Sequence, residues 1–174
     1  SVVHLNEGHA AFASLELTRE GVLAGRSFDE ALARARAQTV FTTHTPVPAG
    51  NDTYTAHEIE SIAGRFVEAL GCEPGRVLAL GRTRPDDPSD AFGMTPLALR
   101  TSRIAKGVSR RHGRVAREMW HSLWPERPVE AVPIGHVTNG VHVPTWMAPE
   151  MHALLDRHLG PRWPERATDP GLFA

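Results

Sequence analysis

Short apolar runs alternate along this chain with longer segments of helical periodicity. Residues 2–5 and the β-branched and aromatic residues 39–43 predict two short strands, and residues 132–134 predict a third. Helices are predicted over residues 10–22, 28–37, 56–70 and 95–120 and after Pro149. Helices that alternate with short strands indicate an α/β fold, helix-rich with short parallel strands.

Two of the predicted helices begin with the spacing of a capping box. Ser27 precedes Glu30 by three residues, and Thr55 precedes Glu58 by the same interval. In this arrangement each side chain satisfies an exposed backbone N–H of the first helical turn. The helix after Thr55 is predicted to carry its apolar residues on one side, namely Ile59, Ile62, Phe66, Val67 and Leu70.

Polar loops follow three of the apolar runs, within residues 5–9, 41–45 and 136–141. They contain Glu7, His9, His44 and Asn139. In open α/β sheets, ligands bind in the crevice beyond the carboxyl ends of the strands, so we expect a common site. Carboxylate, imidazole and amide groups together suit a polyhydroxylated ligand such as a sugar. Three ordinary turns rich in Asn, Gly and His are the alternative interpretation.

The composition is that of an ordinary folded protein. The chain has 174 residues, of which 41% are hydrophobic and 22% charged, and its formal net charge is −1. This balance gives no indication of a nucleic-acid or membrane partner, and the apolar runs are too short to span a bilayer. The single cysteine, Cys72, excludes an intrachain disulfide. We expect a cytoplasmic protein, and we interpret a chain that opens directly in a strand-like run as a piece of a larger one.

Metal binding and several common catalytic classes have no support in the sequence. His4 and His9 are five residues apart and His136 and His142 six, so neither pair has the spacing of a helical zinc motif. We therefore expect no metal site. The sequence also contains no Walker loop, no Gly-x-Ser-x-Gly elbow and no Gly-x-Gly-x-x-Gly loop.

A stripe of basic residues is predicted on one face of the long helix over residues 95–120. It would consist of Arg100, Arg103, Lys106, Arg110, Arg114 and Arg117. An anion site for phosphate or RNA is one hypothesis. A solvated or partner-facing side of the helix is the favoured one, because the stripe has no aromatic residues for stacking bases.

Four longer motifs resemble the α-glucan phosphorylases, the family of glycogen, starch and maltodextrin phosphorylases, and especially its short bacterial branch. The motifs are HLNEGHAAFASLELTRE at residues 4–20, FTTHTPVPAGNDTY at 41–54, MTPLALRTSRIAKGVSRRHGRVAREMW at 94–120 and HVTNGVHVPTW at 136–146. They occur in the family's order and cover most of the chain. The resemblance implies that residues 1–174 are part of the N-terminal domain of a two-domain glycosyltransferase of the GT-B type, without its C-terminal cofactor-binding domain.

The resemblance also implies an activity. The family transfers a glucosyl unit, with retention, from the non-reducing end of an α-1,4-glucan to inorganic phosphate and so forms glucose 1-phosphate. Its cofactor is pyridoxal 5′-phosphate, whose phosphate group relays a proton. Among the matched residues, His44 corresponds to a catalytic histidine whose backbone carbonyl lies near the developing positive charge. Trp146 corresponds to an aromatic residue near the cofactor.

Four further residues match positions that line the sugar site. Glu7 and His9 match an acid and a histidine beside the sugar, Val108 a residue packed against it, and Asn139 an amide that binds a hydroxyl. Lys106 departs from the family, which usually has asparagine there. It is the only lysine of the chain, and the resemblance places the cofactor lysine far downstream.

Two functional hypotheses follow from the sequence. The first is a part of a phosphorylase that is inactive alone, compatible with a homo-oligomer. The alternative is a non-catalytic glucan-binding module.

Overall fold

The computed structural model describes residues 1–173 and divides into two compact units, Ser1–Thr138 and the residues from Asn139 on. The elements of the first unit are β1 (Val3–Asn6), α1 (Phe12–Leu23), α2 (Phe28–Gln38), β2 (Thr39–Thr43), β3 (Thr53–Tyr54), α3 (Ala56–Glu68), α4 (Pro74–Gly81), β4 (Phe92–Gly93), α5 (Met94–Arg100), β5 (Ile104–Gly107), α6 (Arg110–Met119) and β6 (Ile134–His136). The second unit contains α7 (Val143–Trp146) and α8 (Pro149–Leu159).

A four-stranded parallel sheet in the order β1-β2-β5-β6 organises the first unit. Leu5 lies opposite Phe41 in the register, Phe41 opposite Ala105, and Ala105 opposite Ile134. All four of these side chains are almost fully buried, so the core follows one row across the sheet. Strands β3 and β4 form a separate antiparallel pair. The predicted α/β class with parallel strands is therefore confirmed.

The strand and helix predictions agree with most of the structure. Both capping boxes form: the Ser27 and Thr55 side chains accept hydrogen bonds from Glu30 N–H and Glu58 N–H, and each glutamate binds back. The predicted apolar side of α3 is wrong at one position, because Ile62 is 82% exposed whereas Ile59 is buried. The third strand lies two residues later than predicted, and α4 was not predicted.

The long helix predicted over residues 95–120 is wrong. The segment is helix α5, strand β5 and helix α6. After α5 ends, Arg103 N–H donates to Thr39 C=O, and Ile104–Gly107 then pairs with β2 on one side and β6 on the other. Pairing within the sheet satisfies the hydrogen bonds of the backbone N–H and C=O groups in this segment as well as a helix would. The neighbouring strands then decide that the segment is a strand and not a helix.

The basic stripe does not exist as a single helical face, because its members lie on α5, β5 and α6 and, for Arg103, between α5 and β5. Arg100 donates to the backbone carbonyls of Leu80, Arg82 and Thr83, and burial lowers its pKa. Lys106 lies within β5, and Arg114 on α6 pairs with Glu118 at 2.9 Å. The geometric basis for an anion-binding stripe is therefore lost.

Two glycines, Gly107 and Gly113, allow α6 to approach the sheet closely. A Cβ built on Gly107 would lie 2.9 Å from the backbone nitrogen of Gly113. A Cβ on Gly113 would lie 2.9 Å from the carbonyl oxygen of Gly135. The first turn of α6 therefore packs directly on the ends of β5 and β6, where only glycine leaves enough space.

The second unit contains the helix predicted after Pro149. Trp163 is buried and its indole N–H donates to Asp156 at 3.1 Å, while its ring lies edge-on to His152 at 5.6 Å between centroids. Across both units, none of the described helices is long and apolar enough to cross a membrane.

Candidate active site

The carboxyl ends of the four parallel strands lie at one edge of the sheet, and the polar loops follow them. Glu7 comes directly after β1, His44 after β2, Val108 after β5, and His136 is the last residue of β6. Hydrogen bonds connect the first three of these loops to one another, as described below. The sequence prediction of a shared site for Glu7 and His44 agrees with this arrangement.

The Glu7 carboxylate binds the loop that follows β2. One oxygen, Oε1, accepts from Gly8 N–H at 2.9 Å. The other, Oε2, accepts from His44 N–H at 2.7 Å, from Thr45 N–H at 3.0 Å and from the Thr45 hydroxyl at 3.0 Å. The carboxylate therefore fixes the position of the His44–Thr45 backbone, a role that the sequence did not predict.

The backbone conformation and the pKa of Glu7 are both consistent with its role in holding the His44–Thr45 backbone. It has φ 76° and ψ 164°, and it is the only non-glycine residue with positive φ in the described chain. Such a conformation costs on the order of 1–3 kcal/mol and persists where surrounding contacts determine it. Burial raises the pKa of Glu7, but the hydrogen bonds from His44, Gly8 and Thr45 outweigh it and hold the pKa below its usual value. The side chain is a carboxylate at neutral pH.

His44 is exposed, and its side chain is oriented by a neighbour. Its Nε2 lies 2.7 Å from Asn6 Oδ1, at the end of β1. The loop beyond it is anchored at Asn51, whose side chain donates to Val47 C=O at 3.0 Å and accepts from the Thr95 hydroxyl at 2.8 Å. The loop that carries His44 is thus held at both ends.

His112, a residue that the sequence analysis did not select, connects the loops after β2 and β5. It is 8% exposed, and its Nδ1 accepts from Val108 N–H at 3.2 Å while its Nε2 lies 3.2 Å from Thr45 C=O. A signal was available in the sequence, since His112 follows Ser109 by three residues and so takes the third position of a capped helix.

Val108 and Lys106 occupy the third strand end. Val108 is half-buried, and its N–H is bound by His112. Lys106 lies between Thr42 and Gly135 in the register, and its ammonium group lies over Gly135, only 2.5 Å from where a Cβ on that residue would be. Glycine at position 135 provides the space for this lysine.

Three predicted site residues are not brought into this network. His9 is exposed and lies in a single 3-10 turn, Gly8–Ala10. Asn139 and Trp146 belong to the second unit, and Trp146 is 66% exposed. The convergence of Asn139 with Glu7 and His44, and the role of Trp146 beside a cofactor, stay predictions.

The described residues do not supply a holder for pyridoxal phosphate. Lys106 is the only amine-bearing side chain, and it lies within the sheet against Gly135. No group of three or more His, Cys, Asp or Glu side chains within residues 1–173 is placed to hold a metal ion. Glu7, His44 and His112 near the strand ends are hydrogen-bonding groups, which suit a hydroxyl-rich ligand.

Comparison with known proteins identifies similar chains. The maltodextrin phosphorylase of Thermococcus litoralis is 42% identical over 173 residues, which cover 99% of this chain and 20% of that protein. The glycogen phosphorylases of Mycobacterium tuberculosis and Aquifex aeolicus are 47% and 36% identical, over 86% and 93% of this chain and 18% and 23% of theirs.

The chain thus spans about a fifth of the length of the curated relatives that it matches. No family model matches it. The resemblance to the glycogen and maltodextrin phosphorylases that the four motifs indicated is confirmed by these identities.

Proposed function

We propose that this chain forms the sugar-side part of the active site of an α-1,4-glucan phosphorylase. The reaction would transfer a glucosyl unit from the non-reducing end of the glucan to inorganic phosphate, with retention, and release glucose 1-phosphate. Support comes from the similarity to phosphorylases over 99% of the chain and from the connected polar loops at one sheet edge. In this proposal the chain is part of the N-terminal domain of a cytoplasmic GT-B enzyme, and a C-terminal domain completes the site.

The observation that carries the proposal is the way in which the His44–Thr45 dipeptide is held. The N–H groups of both residues are bound by Glu7, and the Thr45 carbonyl is bound by His112. Among the described residues, none donates a hydrogen bond to the carbonyl oxygen of His44. This fixed dipole is free to face a ligand, where it can stabilise the positive charge that develops on a glucosyl ring.

Other groups of the chain would bind the sugar itself. Val108 offers apolar contact to a ring face, and His9 and Asn139 offer donors and acceptors for hydroxyl groups. Glu7, whose carboxylate already binds four donors, would act mainly by holding the loop. Pyridoxal phosphate, which the resemblance implies, supplies phosphate-based acid–base chemistry when bound and would be held by polypeptide outside these 174 residues.

Phosphorolysis assays test the proposal directly. The full-length polypeptide, supplied with pyridoxal phosphate, maltodextrin and inorganic phosphate, should release glucose 1-phosphate, whereas the 174-residue chain alone should not. Calorimetric titration with maltoheptaose is the companion measurement. Glucan binding by a full-length protein without phosphorolysis would refute the proposal and favour a non-catalytic glucan-binding module.

His44→Ala should lower the turnover of the full-length enzyme at least about 10-fold, or about 1.4 kcal/mol of transition-state stabilisation. The substitution removes the imidazole and its contact to Asn6 from the site, while the hydrogen bonds from the backbone of residues 44 and 45 to Glu7 stay in place. His57→Ala, at an exposed position of α3, is the matched control and should leave turnover unchanged. Equal rates for wild type and His44→Ala would show that the His44 side chain takes no part in the reaction.

A further inference from the structure

We propose that His112 is a positioning residue of this site, which holds the His44 loop and Val108 in a fixed mutual arrangement as a single neutral tautomer. The kinetic part of this proposal rests on the proposed function. The structural part does not, because it concerns hydrogen bonds within the chain.

The two partners of His112 determine which ring nitrogen carries the proton. Val108 N–H can only donate, so Nδ1 must offer its lone pair at 3.2 Å. Thr45 C=O can only accept, so Nε2 must carry a proton at 3.2 Å. Only the neutral imidazole with its proton on Nε2 satisfies both partners. The other tautomer and the imidazolium ion each place a donor against Val108 N–H.

The surroundings of His112 hold the ring in this position. Ser109 caps α6, and its hydroxyl accepts from His112 N–H at 3.0 Å. The glycines at 107 and 113 bring this turn against the sheet, and the side chain is 8% exposed. A buried ring with one allowed tautomer constrains its neighbours more than an exposed one, because water cannot replace its partners.

The consequence concerns the two groups on either side of the ring. His44 precedes Thr45, and its carbonyl is the group proposed to face the sugar; Val108 is the residue proposed to contact the ring face. His112 touches neither the sugar nor the reacting atoms in this proposal. It sets the separation of two groups that do, and small errors in such a separation are costly for catalysis.

Three substitutions in the full-length polypeptide separate its contributions. His112→Phe keeps an aromatic ring of similar size and removes both hydrogen bonds. His112→Gln retains a donor in reach of Thr45 C=O, and His112→Asn retains an acceptor in reach of Val108 N–H. His57→Phe, on the exposed first turn of α3, is the control for introducing a phenyl ring.

Kinetics of maltodextrin phosphorolysis provide the first measurement. We expect His112→Phe to lower kcat at least about 10-fold with KM for maltodextrin changed less than about 3-fold, and His112→Gln to recover part of the loss. A residue that is only structural would instead lower the melting temperature without selective loss of kcat. Full kcat in His112→Phe would overturn the positioning role.

Hydrogen–deuterium exchange provides a second measurement that needs no activity. Peptides covering residues 43–47 and 107–109 should exchange faster in His112→Phe, while those from α2 keep the wild-type rate. Wild-type exchange at both loops would refute the bridge even if the protein showed no phosphorolysis. Where His112→Phe fails to fold, the same comparison is made with His112→Gln, in which only residues 107–109 should exchange faster.

Discussion

Replacing Glu7 with glutamine should release the loop that carries His44. The carboxylate accepts four hydrogen bonds, three of them through one oxygen, and an amide has one oxygen and one donor. In either orientation the amide NH₂ faces at least one N–H group. Because hydrogen bonds to charged groups contribute more than neutral ones, we expect the free energy of local opening at His44–Thr45 to fall by about 2 kcal/mol.

The hydrogen bonds between the Glu7 carboxylate and the His44 loop should also depend on pH, and the direction of the pKa shift of Glu7 determines whether acid weakens or strengthens them. The pKa of Glu7 is lower in the folded chain than in the unfolded one, because the hydrogen bonds from His44, Gly8 and Thr45 outweigh burial. Its stabilising contribution is therefore present above the ordinary glutamate pKa of about 4.3 and is lost as the pH falls through the lower folded value. Glu7→Gln should lack this acid dependence.

Amide exchange at Thr45, corrected for the intrinsic exchange rate at each pH, measures both effects. Wild type should lose protection as the pH falls through the lowered pKa of Glu7, while Glu7→Gln should be weakly protected at every pH. Glu60→Gln, at an exposed position of α3, serves as the control and should follow wild type. Unchanged protection at neutral pH in Glu7→Gln would show that the carboxylate does not hold the loop.

Adding one methyl group at Gly107 should destabilise the first unit. The new Cβ would lie 2.9 Å from the nitrogen and 3.0 Å from the Cα of Gly113. These are backbone atoms, so α6 itself must move away from the sheet. Overpacking of this kind costs on the order of 2–3 kcal/mol, and the shift would carry His112 away from Thr45.

Gly64→Ala is the matched control, since nothing lies within 4 Å of its added Cβ and α3 is a regular helix there. Alanine is the better helix former by about 1 kcal/mol, so this variant should be stabilised. Thermal unfolding monitored by circular dichroism compares the two. A melting temperature for Gly107→Ala at or above that of wild type would mean that α6 tolerates the displacement.

Capping residues and β-branched runs, which act within a few residues along the chain, predicted several helices and strands of the first unit. The capping residues Ser27 and Thr55 and the β-branched run at residues 39–43 carry their own structural preference, and each element lies where it was expected. The segment around Ile104 was misassigned because its apolar spacing fits a helix, while the partners that make it a strand lie on β2 and β6. Ile62 was assigned to the buried side of α3 and is exposed. The helical periodicity of apolar residues does not show which part of that side lacks a packing partner.

The sequence indicated which polar residues follow the strands, and it did not indicate what they contact. Glu7 and His44 were selected because polar groups at strand ends often bind ligands, and they do lie together. That Glu7 binds the backbone of the His44 loop depends on an unusual φ of 76°, which no sequence pattern indicated. His112 was missed for a related reason, since its importance comes from two backbone groups in other segments, Val108 N–H and Thr45 C=O.

Glu7 and His112 bind the same dipeptide: Glu7 accepts from the N–H groups of His44 and Thr45, and His112 binds the Thr45 carbonyl. When the hydrogen bonds of either residue are removed, Thr45 is already displaced. Removing the hydrogen bonds of the other residue then has a smaller additional effect on the position of Thr45. Combined variants should therefore be less harmful than the sum of the single ones. In the evolution of such a chain the two positions form an epistatic pair, and substitutions at one change which residues the other can accept.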